Sequence, residues 1–164
     1  VRVPLIISGP GIPADRRTDA LCYLFDVLPT LGKLCAVPAP KASEGIDFSA
    51  VLRDPAAPAR PHLMFAYRNV QRAVRDDRWK LIRYPLVDKT QLFDLQADPQ
   101  ETANLADTPG QAGKVQELTA LLKQLQQTFG DTAPLHAANP KPAEHTPPAK
   151  AAKRVDRKKA KDTP

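Results

Sequence analysis

The sequence contains few of the residues that small proteins use for cross-links or metal sites. It has two cysteines, three histidines, one methionine and one tryptophan among 164 residues. Cys22 and Cys35 lack C-x-x-C spacing and have no nearby histidine, so a zinc site is not expected. They form either two buried thiols or one disulfide, and the sequence does not choose between these states.

The sequence also lacks an apolar run long enough to cross a bilayer, which needs about 20 residues. It begins with VRVPLIISGPG, without methionine and without the three-part layout of a signal peptide. We therefore expect no membrane contact and a chain that is a piece of a longer protein.

Aromatic residues are absent from residue 134 onward, where the chain has six prolines, eight Lys/Arg and three Asp/Glu. Such a segment buries too little apolar surface to offset its chain entropy, so it is predicted to be disordered. It carries most of the net charge of +6. The pI near 9.5 therefore does not indicate a basic folded surface, and specific nucleic-acid binding is not expected.

The first third of the sequence is typical of an α/β protein. Residues 3–8, VPLIIS, have the near-continuous apolar pattern of a strand buried in a parallel sheet. Asp26 is placed to cap a helix with Pro29 in its first turn, and a further helical turn is expected at residues 48–52.

Alternating short runs from residue 63 onward predict an antiparallel meander with strands at 63–67, 71–75, 79–84 and 91–95. In the third strand, Trp79 and Leu81 would share one face, whereas Lys80, Ile82 and Tyr84 would share the other.

The acidic stretch QLFDLQADPQETANLA, residues 91–106, is interpreted as a structural element. Asp98 and Glu101 have the spacing of a capping box, which predicts a short helix over 99–105. Thr108 is expected to cap a longer helix that ends at Gly130. A calcium loop would need more oxygen ligands at closer spacing.

Five stretches occur in an order and spacing that carry a family resemblance: VRVPLIISGPGIP, DVLPTLGKLC, EGIDFSAVLRD, YRNVQRAVRDDRWKLIRYP and QLFDLQADPQETANLA. Together they resemble the C-terminal portion of a formylglycine-dependent sulfatase. The resemblance covers about residues 1–130. It implies a fragment of an alkaline-phosphatase-like α/β fold, with one strand and helix of the large sheet, a small α+β subdomain and a disordered tail.

On this basis the chain divides into three regions. Residues 1–62 would be the end of the large α/β domain with a linker, and residues 63–130 the C-terminal subdomain. Residues 131–164 would be the disordered basic tail.

The resemblance implies a sulfuric ester hydrolase whose formylglycine and calcium lie upstream of this chain. The family converts a cysteine in a C-x-P/A-S/A-x-R motif, whereas Cys22 is followed by YLF and Cys35 by AVP. No cofactor and no catalytic residue are therefore expected within the chain, and the chain alone is predicted to be inactive.

The chain retains one candidate contribution to a substrate pocket. Tyr67, Arg68, Gln71 and Arg72 are predicted to line the pocket rim, where guanidinium groups would pair with a sulfate or carboxylate. The alternative is that both arginines are solvated or pair with Asp76 and Asp77.

The expected partners are the upstream sulfatase domain and a sulfated small molecule or glycan, and the family implies a periplasmic or secreted location. Two other readings stay open at this point. One is a non-catalytic module whose basic tail binds a polyanion, and the other is a family member without an active site. The sequence does not determine the natural substrate or the oligomeric state.

Overall fold

A computed structural model describes residues 3–142 of the chain. Three α-helices and one antiparallel sheet form its regular structure. The helices are α1 (Val27–Leu34), α2 (Ser49–Arg53) and α3 (Ala112–Thr128), and the strands are β1 (Leu63–Tyr67), β2 (Gln71–Arg75), β3 (Trp79–Tyr84) and β4 (Lys89–Asp94).

The four strands pair in sequence order, which is the predicted meander. β1 to β3 have the expected bounds, whereas β4 begins two residues earlier and ends one residue earlier than the predicted 91–95. The register pairs Phe65 with Ala73, Ala73 with Ile82, and Ile82 with Gln91. Because side chains alternate along each strand, this register creates two distinct faces.

One face of the sheet packs against α3 and forms the main core. Its buried members are Met64, Val74, Leu81, Leu92, Leu118, Leu122 and Leu135. Trp79 packs against this cluster, which confirms that it shares a face with Leu81. The opposite face buries Ala73, Ile82, Phe93 and Leu95, with Tyr84 packed beside them.

The region before the sheet differs from the prediction in two respects. Residues 3–8 form no strand, because nothing within residues 3–142 supplies the neighbouring strand that such a segment needs. Residues 24–26 form a 3₁₀ turn that leads into α1, whereas the sequence pattern predicts a short extended segment over residues 21–25.

Asp26 precedes α1, but its carboxylate does not cap that helix. It accepts hydrogen bonds from the amides of Tyr23 (2.7 Å) and Ile46 (2.9 Å) and from the guanidinium of Arg60 (2.5 and 2.7 Å). Burial alone would raise the pKa of Asp26, but these donors outweigh it, so the pKa lies below its ordinary value. Asp26 therefore fastens α1 to two later segments.

The predicted short helix at 99–105 is absent, although its acidic residues do hold the backbone. Asp98 accepts hydrogen bonds from the amides of Thr102 (2.7 Å) and Ala103 (2.9 Å) within a loop. Glu101 has a left-handed φ of 57°, which is incompatible with the third position of a helix. Its carboxylate forms an ion pair with Lys80 at 2.6 Å instead of the predicted helix cap.

The helix α3 begins at Ala112 with no side-chain cap, so the prediction that Thr108 caps it is wrong. Gly110 has a φ of 89° just before the helix, a conformation that needs glycine and that interrupts the predicted cap. At the other end the prediction holds, because Gly130 follows α3 with a φ of 65°.

Residues 131–142 differ from the predicted tail because they make specific contacts with the subdomain. Leu135 is buried in the main core, and the amide of Lys141 donates to the carbonyl of Leu86 at 2.7 Å. Arg83 donates to the carbonyl of Leu135 at 2.7 Å. Residues 143–164 of the predicted tail lie outside the described residues, and the division at residues 62 and 130 stays a prediction.

Candidate functional site at the first hairpin

The predicted rim residues lie together at the turn between β1 and β2. The register pairs Tyr67 with Gln71, and the amide of Val70 donates to the carbonyl of Tyr67 at 3.0 Å, which closes the turn. Arg68 follows the strand with a left-handed φ of 47°. This conformation is uncommon for a residue with a side chain, so the surrounding contacts must hold it.

The four side chains differ in accessibility. Tyr67 is 55% exposed and Arg68 is exposed, whereas Gln71 is half-buried. The guanidinium of Arg68 lies over the Tyr67 ring, 5.8 Å from its centroid. The hairpin tip therefore presents one cation beside one aromatic ring to the solvent.

Arg72 lies beneath this tip and is only 7% exposed. Its Nε and Nη2 donate to the two carboxylate oxygens of Asp131 at 2.6 and 3.0 Å. Its Nη1 donates to the carbonyls of Arg68 (2.5 Å) and Gln71 (2.9 Å). These contacts use four of the five N–H groups of the guanidinium, and one N–H group on Nη2 makes none of them.

Neither arginine pairs with Asp76 or Asp77, the partners that the alternative sequence interpretation named. The partner of Arg72 is Asp131, which is 59 residues away along the chain. A short-range charge pattern does not reveal such a pair, so sequence reasoning missed it. The hydrogen bonds from Arg72 lower the pKa of Asp131 to about 2, and those from Gln126 and Ala133 add to this effect.

A second polar cluster lies where β3 meets the segment after α3. The guanidinium of Arg83 contacts the carboxylate of Asp88, the hydroxyl of Thr90 (2.9 Å) and Nδ1 of His136 (2.6 Å). Arg83 is buried, and its contacts hold the chain after α3 against the sheet. No signal in the sequence indicated this cluster.

The described part of the chain does not provide the groups that sulfatase chemistry needs. Cys22 and Cys35 are free thiols outside the formylglycine motif, and burial raises the pKa of Cys22. Within residues 3–142, no three His, Cys, Asp or Glu side chains lie close enough to hold a metal ion. The side chains within residues 3–142 therefore do not fit calcium or formylglycine.

No helix within residues 3–142 combines the length and apolar character that a membrane span requires.

Residues 1–128 match the protein family described as N-sulphoglucosamine sulphohydrolase, C-terminal. The chain belongs to this family of sulfatase C-terminal domains. The match confirms the resemblance, and with it the fold class: an α/β, alkaline-phosphatase-like fragment whose small subdomain carries an antiparallel sheet and a long helix.

Individual sulfatases show the same similarity. The chain is 31% identical over 158 residues to the delta 4,5-hexuronate-2-O-sulfatase of Bacteroides thetaiotaomicron, covering 88% of the chain and 33% of that protein. It is 34% identical over 115 residues to the choline-sulfatase of Rhizobium meliloti, covering 66% of the chain and 22% of that protein. The chain thus spans between a fifth and a third of the length of these relatives.

A solved structure of a 2-O GAG sulfatase superposes on the chain with a TM-score of 0.61 at 26% identity. The superposition covers 77% of the chain and 31% of the sulfatase.

Proposed function

We propose that the chain is the C-terminal portion of an enzyme that hydrolyses sulfate esters. The observation that carries this proposal is the family match over residues 1–128. The relatives act, by their names, on sulfated uronates and on choline sulfate, so the substrate class is a sulfated glycan or a small sulfated alcohol. The nucleophile and the calcium of this enzyme would belong to the upstream domain, and its location would be periplasmic or secreted.

The contribution of this chain to catalysis would be a scaffold and part of the pocket rim. Arg68 is the exposed cation of the hairpin tip, and a guanidinium binds a sulfate or carboxylate oxygen pair in a planar fork. Tyr67 supplies a ring against which a sugar or an alkyl group packs. Gln71 lies beside them as a neutral hydrogen-bonding group, and Arg72 has one N–H available from below.

The proposed partner of the chain is the upstream sulfatase domain, and exposed apolar side chains support this contact. Leu28 and Leu31 on α1 are 53% and 45% exposed, and Leu24 and Ile6 are 78% and 91% exposed. Large aliphatic side chains concentrated in one region of a soluble protein are typical of an interface. Residues 3–31 would be covered in the complete enzyme.

Kinetics of the full-length protein test the proposal. Aryl sulfate, choline sulfate and sulfated uronate disaccharides would be offered, with release of inorganic sulfate as the measurement. We expect turnover of at least one of these esters. Absence of sulfate release from all three by a protein with its formylglycine in place would overturn the proposed activity.

The rim assignment has its own test in the same protein. Arg68→Ala is expected to raise KM for an anionic substrate while kcat changes little, since the guanidinium would bind substrate and transition state alike. Arg53→Ala is the matched control, because Arg53 is an exposed arginine at the end of α2 and is not part of the hairpin. Equal KM values for Arg68→Ala and Arg53→Ala would remove Arg68 from the site.

A further inference from the structure

A residue outside the family match contacts the arginine beneath the hairpin tip. Asp131 follows α3, whereas the match ends at residue 128. Its two carboxylate oxygens receive the paired N–H groups of Arg72 in a bidentate ion pair. Arg72 is 8% exposed and Asp131 is 18% exposed at the side chain, so water screens this pair only in part.

The same guanidinium also donates hydrogen bonds to the backbone of the turn. Nη1 of Arg72 donates to the carbonyl of Arg68, the residue with the left-handed φ of 47°, and to the carbonyl of Gln71. Because a guanidinium is planar and rigid, the direction in which Asp131 holds Nε and Nη2 also sets the direction of Nη1. The position of the carboxylate is thereby transmitted to the turn.

Asp131 is itself fixed from the other side. The side-chain amide of Gln126, which is 7% exposed, donates to Asp131 at 2.9 Å and to the carbonyl of Ala133 at 2.8 Å. The amide of Ala133 donates back to the carboxylate at 3.2 Å. Helix α3 thus anchors the carboxylate, the carboxylate anchors Arg72, and Arg72 anchors the turn.

Asp131 also separates the roles of the two arginines. Its negative charge compensates the positive charge of Arg72. Arg68, in contrast, has no carboxylate within salt-bridge distance among residues 3–142. The cation that faces the solvent is Arg68, and the buried cation serves the backbone beneath it.

We infer that Asp131 is a positioning residue for the substrate rim: acting through Arg72, it holds the turn that presents Tyr67 and Arg68 to an anionic substrate. This inference rests on the proposed function of the hairpin as part of a sulfatase pocket. A positioning role differs from a merely structural one because its loss weakens substrate binding in molecules that are still folded.

The test uses the full-length protein with Asp131→Asn, which keeps the shape of the side chain and removes its charge. The control is Asp107→Asn, because Asp107 is exposed and lies outside this network. We expect KM for the anionic substrate to rise about fivefold or more, with kcat within about twofold of the parent. Amide hydrogen exchange at residues 68–71 should become faster in Asp131→Asn and stay unchanged in Asp107→Asn.

Arg68→Ala distinguishes failure of this inference from failure of the proposed function. If Arg68→Ala raises KM and Asp131→Asn does not, the hairpin binds substrate but Asp131 does not position it. If neither variant changes KM, the rim assignment itself fails. Should Asp131→Asn not fold, Gln126→Met removes the amide that holds the carboxylate, and an unchanged KM with unchanged exchange at residues 68–71 would overturn the inference.

Discussion

The hydroxyl group of Tyr23 occupies the backbone hydrogen-bonding positions of Met64 on the edge strand β1. It accepts a hydrogen bond from the Met64 amide at 2.5 Å and donates one to the Met64 carbonyl at 3.0 Å. One side chain thereby satisfies both groups that an added strand would use at this position. Burial raises the pKa of this hydroxyl, so it stays protonated and able to donate at neutral pH.

Tyr23→Phe is predicted to destabilise the protein by about 1–3 kcal/mol, because it leaves the two backbone groups without their partner. The free energy of unfolding in urea measures this effect. Tyr67→Phe is the control, since Tyr67 is 55% exposed, and its effect should stay within about 0.5 kcal/mol. A loss of stability no larger in Tyr23→Phe than in this control would contradict the role of the hydroxyl.

The lowered pKa of Asp131 predicts that the stability of the fold decreases in acid. Its pKa is about 2 in the folded protein and therefore lower than in the unfolded chain. A carboxyl group with a lowered folded pKa contributes stability above its unfolded pKa and loses it as the pH falls toward the folded pKa. The contribution of about 2 kcal/mol should be complete at pH 6 and decline between about pH 5 and pH 2.

Parallel unfolding curves of the parent and Asp131→Asn at several pH values measure this contribution. The difference in unfolding free energy between the two proteins should shrink as the pH falls. A difference that stays constant from pH 6 to pH 2 would show that the carboxylate charge does not stabilise the fold.

Leu135→Ala is predicted to cost about 2–5 kcal/mol, the usual range for truncating a buried leucine. Leu135 is 6% exposed and lies in the main core. The matched control is Leu86→Ala, because Leu86 is 40% exposed and has less contact to lose. Thermal unfolding would compare the two, and equal shifts in Tm would place Leu135 outside the core.

Two glycines should respond to alanine in opposite directions. A Cβ at Gly45 would collide with the carbonyl group of Phe25, so Gly45→Ala should destabilise the protein by about 1–3 kcal/mol. A Cβ at Gly113 in α3 meets nothing within 4 Å, so Gly113→Ala should stabilise it by up to about 1 kcal/mol. A Tm for Gly45→Ala equal to or above that of the parent would contradict the packing around residue 45, and a lowered Tm for Gly113→Ala would contradict the open space at residue 113.

The basic end of the chain is the part to test for polyanion binding. Removing residues 143–164 takes away most of the net positive charge and leaves Leu135 and its contacts in place. If these residues bind a polyanion, heparin retention of the shortened protein should fall, together with its dependence on salt concentration. Unchanged retention would exclude the polyanion-binding alternative.

The sheet could be predicted from the sequence because its information is local. Side chains alternate between faces along the strands, as at Trp79, Leu81 and Ile82, and turn residues separate each strand from the next. The four strands can therefore be predicted from the two-residue period and the turn residues. The family resemblance likewise rests on short stretches whose residues lie close together along the chain. The sheet and the family resemblance can therefore both be inferred from the sequence alone.

The contacts that complete the site could not be predicted, because they join residues far apart along the chain. Arg72 and Asp131 are 59 residues apart, and nothing in the sequence near either one indicates its partner. Leu135 stands alone among prolines, alanines and charged residues, so composition predicted disorder where one buried side chain fixes the chain. The spacing of Asp98 and Glu101 is that of a helix cap, but Glu101 instead accepts a hydrogen bond from Lys80, which is 21 residues away along the chain.

Asp26 has a consequence for how this domain tolerates change. Its carboxylate joins backbone or side chains at residues 23, 46 and 60, so it closes the proline-rich connection between α1 and β1. The entropic cost of closing a flexible loop rises only with the logarithm of its length, by about 0.6 kcal/mol for each doubling. The exposed stretch at residues 38–42 can therefore lengthen at little energetic cost, which makes it a permissive point for insertions while the ends of the connection stay clasped.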